Sequence, residues 1–255
     1  NKRGKDVTLT NYEDCLRAAV EGGYRLTSYQ DYLANDEGKV LILRHDVDKK
    51  PLNSLRTAEL QNKLGAIGTY YFRATKESFN VEIIKKIRDL GHEIGYHYED
   101  LTFFKGNAAE AIVHFEKWLN KLKELYPVKT ICMHGSPMSK WDNREIWKSY
   151  DYKNYGIIAE PYFDIDFNKV FYITDTGRQW DGSKVSVRDK VNSSFDLSFH
   201  STDDIIRAFE EDRMPNHIMQ NIHPQRWTDS PTEWLKEKTI QQLKNKVKKA
   251  LFVKK

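Results

Sequence analysis

The chain has 255 residues, with 41 basic and 37 acidic side chains and a formal net charge of +4. This length suits one large α/β domain, expected to span residues 1–255, and the mild charge without a compact basic motif argues against a nucleic-acid-binding protein. No run reaches the roughly 18 apolar residues of a membrane span, and two cysteines give neither a disulfide framework nor a cysteine-based zinc motif.

Helical patterns alternate with short apolar runs along the chain. Periodicity bounded by capping residues, glycines and prolines predicts helices over residues 12–21, 52–64, 80–91, 107–127, 201–209 and from 230 onwards. Apolar runs predict strands over residues 40–48, 67–72, 92–97, 130–133, 156–159, 170–174 and 217–222. In the final helix we expect the lysines to face solvent and an apolar stripe to face inward, formed by Leu235, Ile240, Leu243, Val247 and Leu251.

Strands separated by helices are typical of parallel pairing, in a barrel or a doubly wound sheet. The sequence has neither a glycine-rich dinucleotide-binding loop nor a P-loop, which argues against a nucleotide-dependent enzyme. We therefore predict an α/β fold, a distorted TIM-like (β/α) barrel of about seven parallel strands.

Residues 40–48 are central to the functional prediction. Four aliphatic residues from Val40 indicate a strand buried on both faces, and the run ends in two acids. Asp46 and Asp48 are two residues apart and therefore point to the same side, whereas His45 points to the other. The alternative is structural, with Asp46 starting a turn and Asp48 capping the next helix.

Polar residues follow nearly every predicted strand. Histidine, aspartate, glutamate or arginine occur in segments 44–48, 72–73, 96–100, 133–137, 174–178 and 221–227. Because the carboxyl ends of parallel strands meet at one mouth of a barrel, this coincidence favours an active site over isolated helix caps. Aspartate and histidine together can hold a divalent metal, most often zinc, and such a metal beside an acid and a base suits hydrolysis of an amide or ester.

Aromatic residues make up 13% of the chain, and several lie in loop-like sequence: Trp141, Tyr162, Trp180 and Trp227. Such rings can stack on sugars, although core packing is the more common role of any single ring. Together with arginines in the same segments, they give four candidate substrate-binding residues: Arg178, Trp180, Arg226 and Trp227.

The segment His45-Asp46-Val47-Asp48, taken with Gly91-His92-Glu93-Ile94-Gly95-Tyr96-His97, resembles the polysaccharide deacetylases, the NodB-homology proteins of carbohydrate esterase family 4 type. The order of Tyr70-Tyr71-Phe72, Met133-His134-Gly135-Ser136-Pro137 and Ile222-His223-Pro224 fits the same family. The Arg-His-Asp-Val-Asp opening resembles a bacterial branch often met in surface-polysaccharide gene clusters. The likeness runs from about Thr8 to the final helix.

This resemblance implies a barrel of about seven strands that removes an N-acetyl (or O-acetyl) group from a sugar with the help of a divalent metal, expected to be zinc. Matched motif by motif, Asp46 would be the general base, and Asp48 and His97 would be metal ligands. His223 would be the acid or the oxyanion stabiliser. The implied partner is a carbohydrate.

Two positions depart from the family pattern. Leu101 stands where the family has the second histidine of its metal motif, and leucine cannot bind a metal. The groups that could complete the site are Glu99, His134 and Asp100, of which we favour the first two equally. The arginine that holds the base in the family's third motif is also missing, and Arg73 or Arg178 would have to replace it in space.

The leading hypothesis is a metal-dependent carbohydrate deacetylase, a hydrolase acting on C–N bonds other than peptide bonds. The alternatives are a catalytically inactive glycan-binding barrel, suggested by Leu101 and the aromatic loops, and an enzyme that hydrolyses another C–N bond. We expect a cytoplasmic protein, because cysteine is sparse and no signal peptide is visible. A processed N-terminus stays open, since the chain begins at Asn1. The sequence does not indicate an oligomeric state.

Overall fold

The computed structural model describes residues 5–180 and 186–253, with side chains described up to residue 251. Within these ranges the strands are β1 (Arg25–Thr27), β2 (Val40–Val47), β3 (Thr69–Phe72), β4 (Glu93–Tyr98), β5 (Ile131–Met133), β6 (Phe171–Thr174) and β7 (His217–Ile222). The α-helices of the same ranges are α1 (Leu9–Glu21), α2 (Tyr29–Ala34), α3 (Pro51–Lys63), α4 (Val81–Asp89), α5 (Asp100–Phe103), α6 (Ala108–Lys123), α7 (Pro161–Asp164), α8 (Thr202–Glu210) and α9 (Pro231–Lys248). Short 3₁₀ turns lie at Asn143–Lys148, Tyr152–Tyr155, Thr176–Arg178 and Pro224–Arg226, and a π turn follows α9 at Lys249–Val253.

Every strand pair in the described part of the chain is parallel. The order across the sheet is β5-β4-β3-β2-β7-β6, and β1 pairs with the first half of β2, on the edge that β3 occupies further along. The sheet curls into a half-barrel with helices around it. This confirms the predicted distorted α/β barrel of about seven parallel strands. Every residue of β2 is buried, as its apolar run indicated.

The predicted caps position three helices. Asn80, Asn107 and Ser201 precede α4, α6 and α8, and each accepts a hydrogen bond from the backbone N–H three residues later. These side chains satisfy N–H groups that the first turn of a helix leaves without partners, and so they fix where each helix begins. No helix within residues 5–180 and 186–253 combines the length and the apolar character needed to cross a membrane.

Two details of the strand prediction differ from the structure. Residues 156–159 form a single bridge, between Ala159 and Thr130, rather than a strand. Pro161 starts α7 directly afterwards, which leaves no length for a ladder. In turn, the sequence prediction lacks β1, because the three residues Arg25–Thr27 are too few to display an alternating pattern.

The prediction for the buried face of α9 is wrong. Leu235, Leu243, Val247 and Leu251 are 60%, 65%, 39% and 57% exposed, and Ile240 is only partly buried. The helix instead buries polar side chains at four-residue spacing, namely Glu237, Gln241 and Asn245.

The buried face of α9 is polar because its surroundings are polar. Glu237 accepts hydrogen bonds from the ammonium groups of Lys49 (3.2 Å) and Lys50 (2.9 Å). Asn245 donates to the Gly177 carbonyl at 2.7 Å. The helix therefore packs on loops at the carboxyl end of the sheet, where buried polar groups find partners that an apolar stripe would leave unsatisfied.

Glu160 caps α7 and is fully buried. Its carboxylate oxygens accept hydrogen bonds from the Tyr162 N–H (3.1 Å) and the Tyr98 hydroxyl (3.2 Å). Burial raises the pKa of Glu160 from 4.5 to about 8, against the opposing effect of these hydrogen bonds and of Arg44. The folded protein therefore keeps a proton that the unfolded chain releases at much lower pH.

We expect Glu160→Gln to reduce the pH dependence of stability. Because the folded pKa of Glu160 exceeds the unfolded one, its stabilising contribution is complete below pH 4.5 and is lost as the pH rises through about 8. In urea unfolding between about pH 5 and 9, the free energy of unfolding of the wild type should fall by up to about 4 kcal/mol more than that of the variant. The exposed Glu116→Gln serves as the control and should follow the wild type. Parallel curves for wild type and Glu160→Gln would contradict the prediction.

Candidate active site

Arg44 and Asp46 form an ion pair within strand β2. Nε of Arg44 lies 3.0 Å from Oδ1 of Asp46, and Nη2 lies 2.8 Å from Oδ2. The two side chains share one side of the strand because they are two residues apart, and they are 1% and 5% exposed. Asn221, on the neighbouring strand β7, donates a third hydrogen bond to Asp46 at 3.1 Å.

Arg44 keeps the Asp46 carboxyl ionised. Burial raises the pKa of Asp46, but the charge of Arg44, with smaller contributions from two nearby histidines, lowers it well below its usual range. Arg44 also donates to the hydroxyls of Tyr162 and Tyr172, each at 3.3 Å, and its guanidinium lies over both rings. The fold therefore provides several partners for the buried cation and holds a carboxylate at the end of the strand.

Three donor atoms converge just beyond the end of β2. Oδ1 of Asp48 lies 3.3 Å from Nδ1 of His134 and 3.5 Å from Nε2 of His97, and the two nitrogens are 3.2 Å apart. His97 lies on β4 opposite Cys132 of β5, and His134 immediately follows β5. The parallel register of these neighbouring strands thus brings together two histidines that are far apart in sequence.

The three donor atoms fit a divalent metal. Nδ1 of His97 donates to the Cys132 carbonyl at 2.9 Å, which leaves the lone pair of Nε2 directed at Asp48 and His134. Oδ1 of Asp48 is buried and has no hydrogen-bond partner within the described residues. With metal–ligand bonds of about 2.0–2.1 Å, tetrahedral ligand atoms lie about 3.3–3.4 Å apart, close to the separations seen here.

The other candidate ligands make different contacts. Glu99 pairs with Arg73, whose Nη2 lies 2.9 Å from its Oε1. Asp100 accepts a hydrogen bond from the Tyr96 hydroxyl (2.8 Å) and lies 2.5 Å from Nδ1 of His114. Arg73 therefore binds Glu99 rather than the candidate base Asp46. Among the described residues, neither Glu99 nor Asp100 belongs to a potential metal-binding group.

A second group of donor atoms, on Asp46, His97 and Cys132, also lies within 4.8 Å of one another. Its carboxylate is already bound by Arg44, and burial raises the pKa of the Cys132 thiol well above its usual value. Metal binding requires deprotonated ligands. The group containing Asp48 is therefore the better metal site.

His223, at the end of β7, faces Asp46 and Asp48. Its Nε2 lies 3.9 Å from a carboxylate oxygen of each acid, and its Nδ1 lies 2.5 Å from Oδ1 of Asp175. Asp175 also accepts a hydrogen bond from Trp227 Nε1 at 2.7 Å. Burial raises the pKa of Asp175, but His223 and a neighbouring arginine outweigh it and lower the pKa. Asp175 thus orients the imidazole so that Nε2 points toward the two acids.

The four candidate substrate-binding residues occupy different environments. Trp180 and Trp227 are 8% and 1% exposed, and their ring centres lie 5.8 Å apart in the core. Arg178 lies over the ring of Trp234. Of these four candidates, Arg226 lines the cavity at the two acids. Trp227 is linked to the site through its hydrogen bond to Asp175.

The two acids and three histidines open onto one cavity of about 90 Å³. Tyr162 and Arg188 form part of its wall. Arg188 donates to the carbonyls of Gly135 (2.7 Å) and Ser136 (2.9 Å), and so it secures the loop that begins at His134. The cavity is small, and charged or polar side chains form most of its lining.

Sequence reasoning missed three residues of this site. Arg44 has a signal in the sequence, since it precedes Asp46 by two residues and strand geometry puts both on one side. Asp175 follows β6, in one of the polar strand-end segments, but nothing local pairs it with His223. Asn221 lies opposite Arg44 in the register of β2 and β7, which no sequence pattern reveals.

No family model and no curated protein matches the sequence. Among solved structures, a carbohydrate esterase family 4 protein from Streptococcus mutans matches at 14% identity and a TM-score of 0.46, covering 90% of each chain. A family 4 carbohydrate esterase from Streptomyces lividans, solved with acetate, matches at 14% identity and a TM-score of 0.42, covering 83% of this chain and 90% of that one. The family that these proteins are named for is the one that the sequence motifs resemble.

A family 4 pseudoenzyme from Bacillus anthracis matches at 16% identity and a TM-score of 0.41, over 83% of this chain. The match covers 62% of the pseudoenzyme, so this chain spans less than two thirds of its length.

Arg44→Met should lower the free energy of unfolding by about 3 to 5 kcal/mol, because it leaves the buried Asp46 carboxylate without its cation. The double variant Arg44→Met/Asp46→Asn should lose less, since no unpaired charge remains. Chemical denaturation of the four members of this cycle measures the coupling. Arg17→Met, which breaks an exposed pair with Glu13, is the control and should change stability by about 0.5 kcal/mol or less. Additive losses in the cycle would contradict the assignment.

Proposed function

We propose that this protein is a metal-dependent deacetylase, which hydrolyses an N-acetyl (or O-acetyl) group of a sugar in surface-polysaccharide metabolism. The main support is the convergence of an Arg44-held carboxylate, an Asp175-held histidine and three neighbouring donor atoms, on Asp48, His97 and His134, at one small cavity. The motif resemblance adds the reaction class to this geometry.

Asp48, His97 and His134 are the proposed metal ligands. Two imidazole nitrogens and one carboxylate oxygen are a donor set typical of zinc. When bound, such a metal supplies a Lewis acid that polarises a carbonyl and lowers the pKa of water. His134 thereby takes the role that Leu101 cannot fill, from the end of the neighbouring strand.

Asp46 is the proposed general base. A carboxylate offers about four lone-pair positions, and Arg44 and Asn221 use three of them. The remaining position is available to accept a proton from the attacking water. Because Arg44 holds the pKa of Asp46 low, the base is ionised at neutral pH, and its orientation is fixed before substrate arrives.

His223 is the proposed acid. Asp175 binds Nδ1, so Nε2 faces the cavity on the side of the two acids. As the water oxygen bonds to the carbonyl carbon, its proton passes to Asp46. As the C–N bond breaks, His223 gives its Nε2 proton to the leaving nitrogen. The products are acetate and a free amino sugar.

Asp46→Asn and His223→Gln should each lower acetate release from an N-acetylated chito-oligosaccharide by about 100-fold or more, since each removes a proton-transfer group. His217→Gln, at the opposite end of β7, is the matched control and should retain activity. Arg44→Met/Asp46→Asn should be equally inactive, which separates loss of the base from an unbalanced Arg44 charge. Wild-type turnover by the Asp46 variants would contradict the mechanism.

The metal site has its own test. His134→Ala should weaken zinc binding by at least about tenfold, whereas Glu99→Gln and Cys132→Ala should leave it unchanged. Competition with a chromogenic chelator, together with elemental analysis, measures affinity and stoichiometry. Two results together would instead favour a glycan-binding barrel: wild type that binds no metal, and saccharide binding that persists in Asp46→Asn.

A further inference from the structure

A groove of about 470 Å³ opens from the candidate active site and follows α9. It shares five residues with the candidate catalytic cavity: Asp48, His134, Pro137, Arg226 and Lys248. The groove is thus a continuation of the site rather than a separate pocket. A molecule whose acetyl group occupies the cavity would extend along this groove.

Four apolar residues lie in the lining of the groove, among charged and polar ones. Pro137 and Met138 line one part, and Leu243 and Val247 of α9 line another. Met138 and Leu243 are 67% and 65% exposed. Leu243 and Val247 are available because α9 turns its polar face inward. A contiguous exposed apolar surface beside a reactive site is typical of a binding surface.

The groove contains no phenylalanine, tyrosine or tryptophan among its described lining residues. Flat aromatic faces are suited to stacking on sugar rings, whereas branched and unbranched aliphatic side chains suit a flexible hydrocarbon chain. The lining therefore fits a lipid chain better than successive sugars of a polymer.

Three lysines line the groove, Lys49, Lys244 and Lys248, and Lys248 also lines the cavity. Lys49 already pairs with Glu237. Lys244 and Lys248 form no ion pair within residues 5–180 and 186–253. Burial, reinforced by neighbouring positive charges, lowers the pKa of both. Such crowding of cations is relieved when an anion binds between them.

We propose that the groove binds a lipid phosphate, so that the substrate is an acetylated sugar carried on a long hydrocarbon chain through a phosphate group. The sugar lies at the catalytic cavity, the phosphate at Lys244 and Lys248, and the chain along Met138, Leu243 and Val247. This assignment names the substrate class and therefore rests on the proposed deacetylase function.

Binding of geranylgeranyl phosphate to the zinc-loaded full chain, measured by calorimetry below the aggregation concentration of the lipid, tests the assignment. Geranylgeraniol, which lacks the phosphate, and inorganic phosphate, which lacks the chain, should each bind at least about tenfold more weakly. Leu243→Ser/Val247→Ser and Lys244→Gln/Lys248→Gln should each weaken binding of the lipid phosphate by about tenfold or more. Leu235→Ser is the matched control, because it removes an equally exposed leucine of α9 outside the groove, and it should bind like wild type.

Several outcomes would overturn the proposal: equal binding of inorganic phosphate, which would point to the metal alone, or equal losses in Leu235→Ser and the groove variants. A membrane surface contact would be indicated instead if the protein sedimented with phosphatidylglycerol vesicles and if Leu235→Ser and Leu243→Ser/Val247→Ser weakened this sedimentation equally. Acetate release is measured separately. A protein that binds the lipid phosphate but releases no acetate would contradict the deacetylase proposal, whereas an active protein that does not bind it would contradict the lipid-phosphate proposal.

Discussion

The buried ion pair between Arg44 and Asp46 is the constraint around which the site is built. Two opposite charges lie inside the central strand, and the cost of desolvating them exceeds their mutual attraction unless further hydrogen bonds are made. Tyr162, Tyr172 and Asn221 supply those bonds from elements distant in sequence. The positions of β6, β7 and the segment around α7 are therefore tied to the same pair that orients the proposed base.

Asp46 and Asp48, at the end of β2, lie in different electrostatic surroundings. Asp46 has a protein cation and an amide donor, so its charge is compensated within the fold. Asp48 faces two imidazoles, and its Oδ1 has no hydrogen-bond partner in the described part of the chain. Such a group is costly to bury unless a cation binds. This asymmetry supports separate roles, one acid accepting protons and the other ligating a metal, although both come from a single short motif.

Much of the fold could be predicted from local patterns, because caps, glycines and apolar runs act within a few residues. The same holds for Asp46 and Asp48, whose shared side follows from the two-residue period of a strand. For the proposed third ligand, these patterns left Glu99 and His134 as equal candidates and could not choose between them. His134 meets His97 only through the register of β4 and β5, whereas Glu99, closer in sequence, turns to Arg73. Contacts between strands depend on tertiary packing that spacing does not encode.

The prediction of the buried face of α9 was wrong for a different reason. Its sequence offers both an apolar stripe and a polar one, and the neighbours at the mouth of the sheet, Lys49, Lys50 and the Gly177 carbonyl, select the polar stripe. Exposure of a single leucine such as Leu235 requires no special explanation, since apolar atoms cover much of any protein surface. What distinguishes Leu243 is its place in the groove that continues from the cavity of the proposed catalytic groups. The same polar packing that stabilises the helix thus places aliphatic side chains beside the candidate active site.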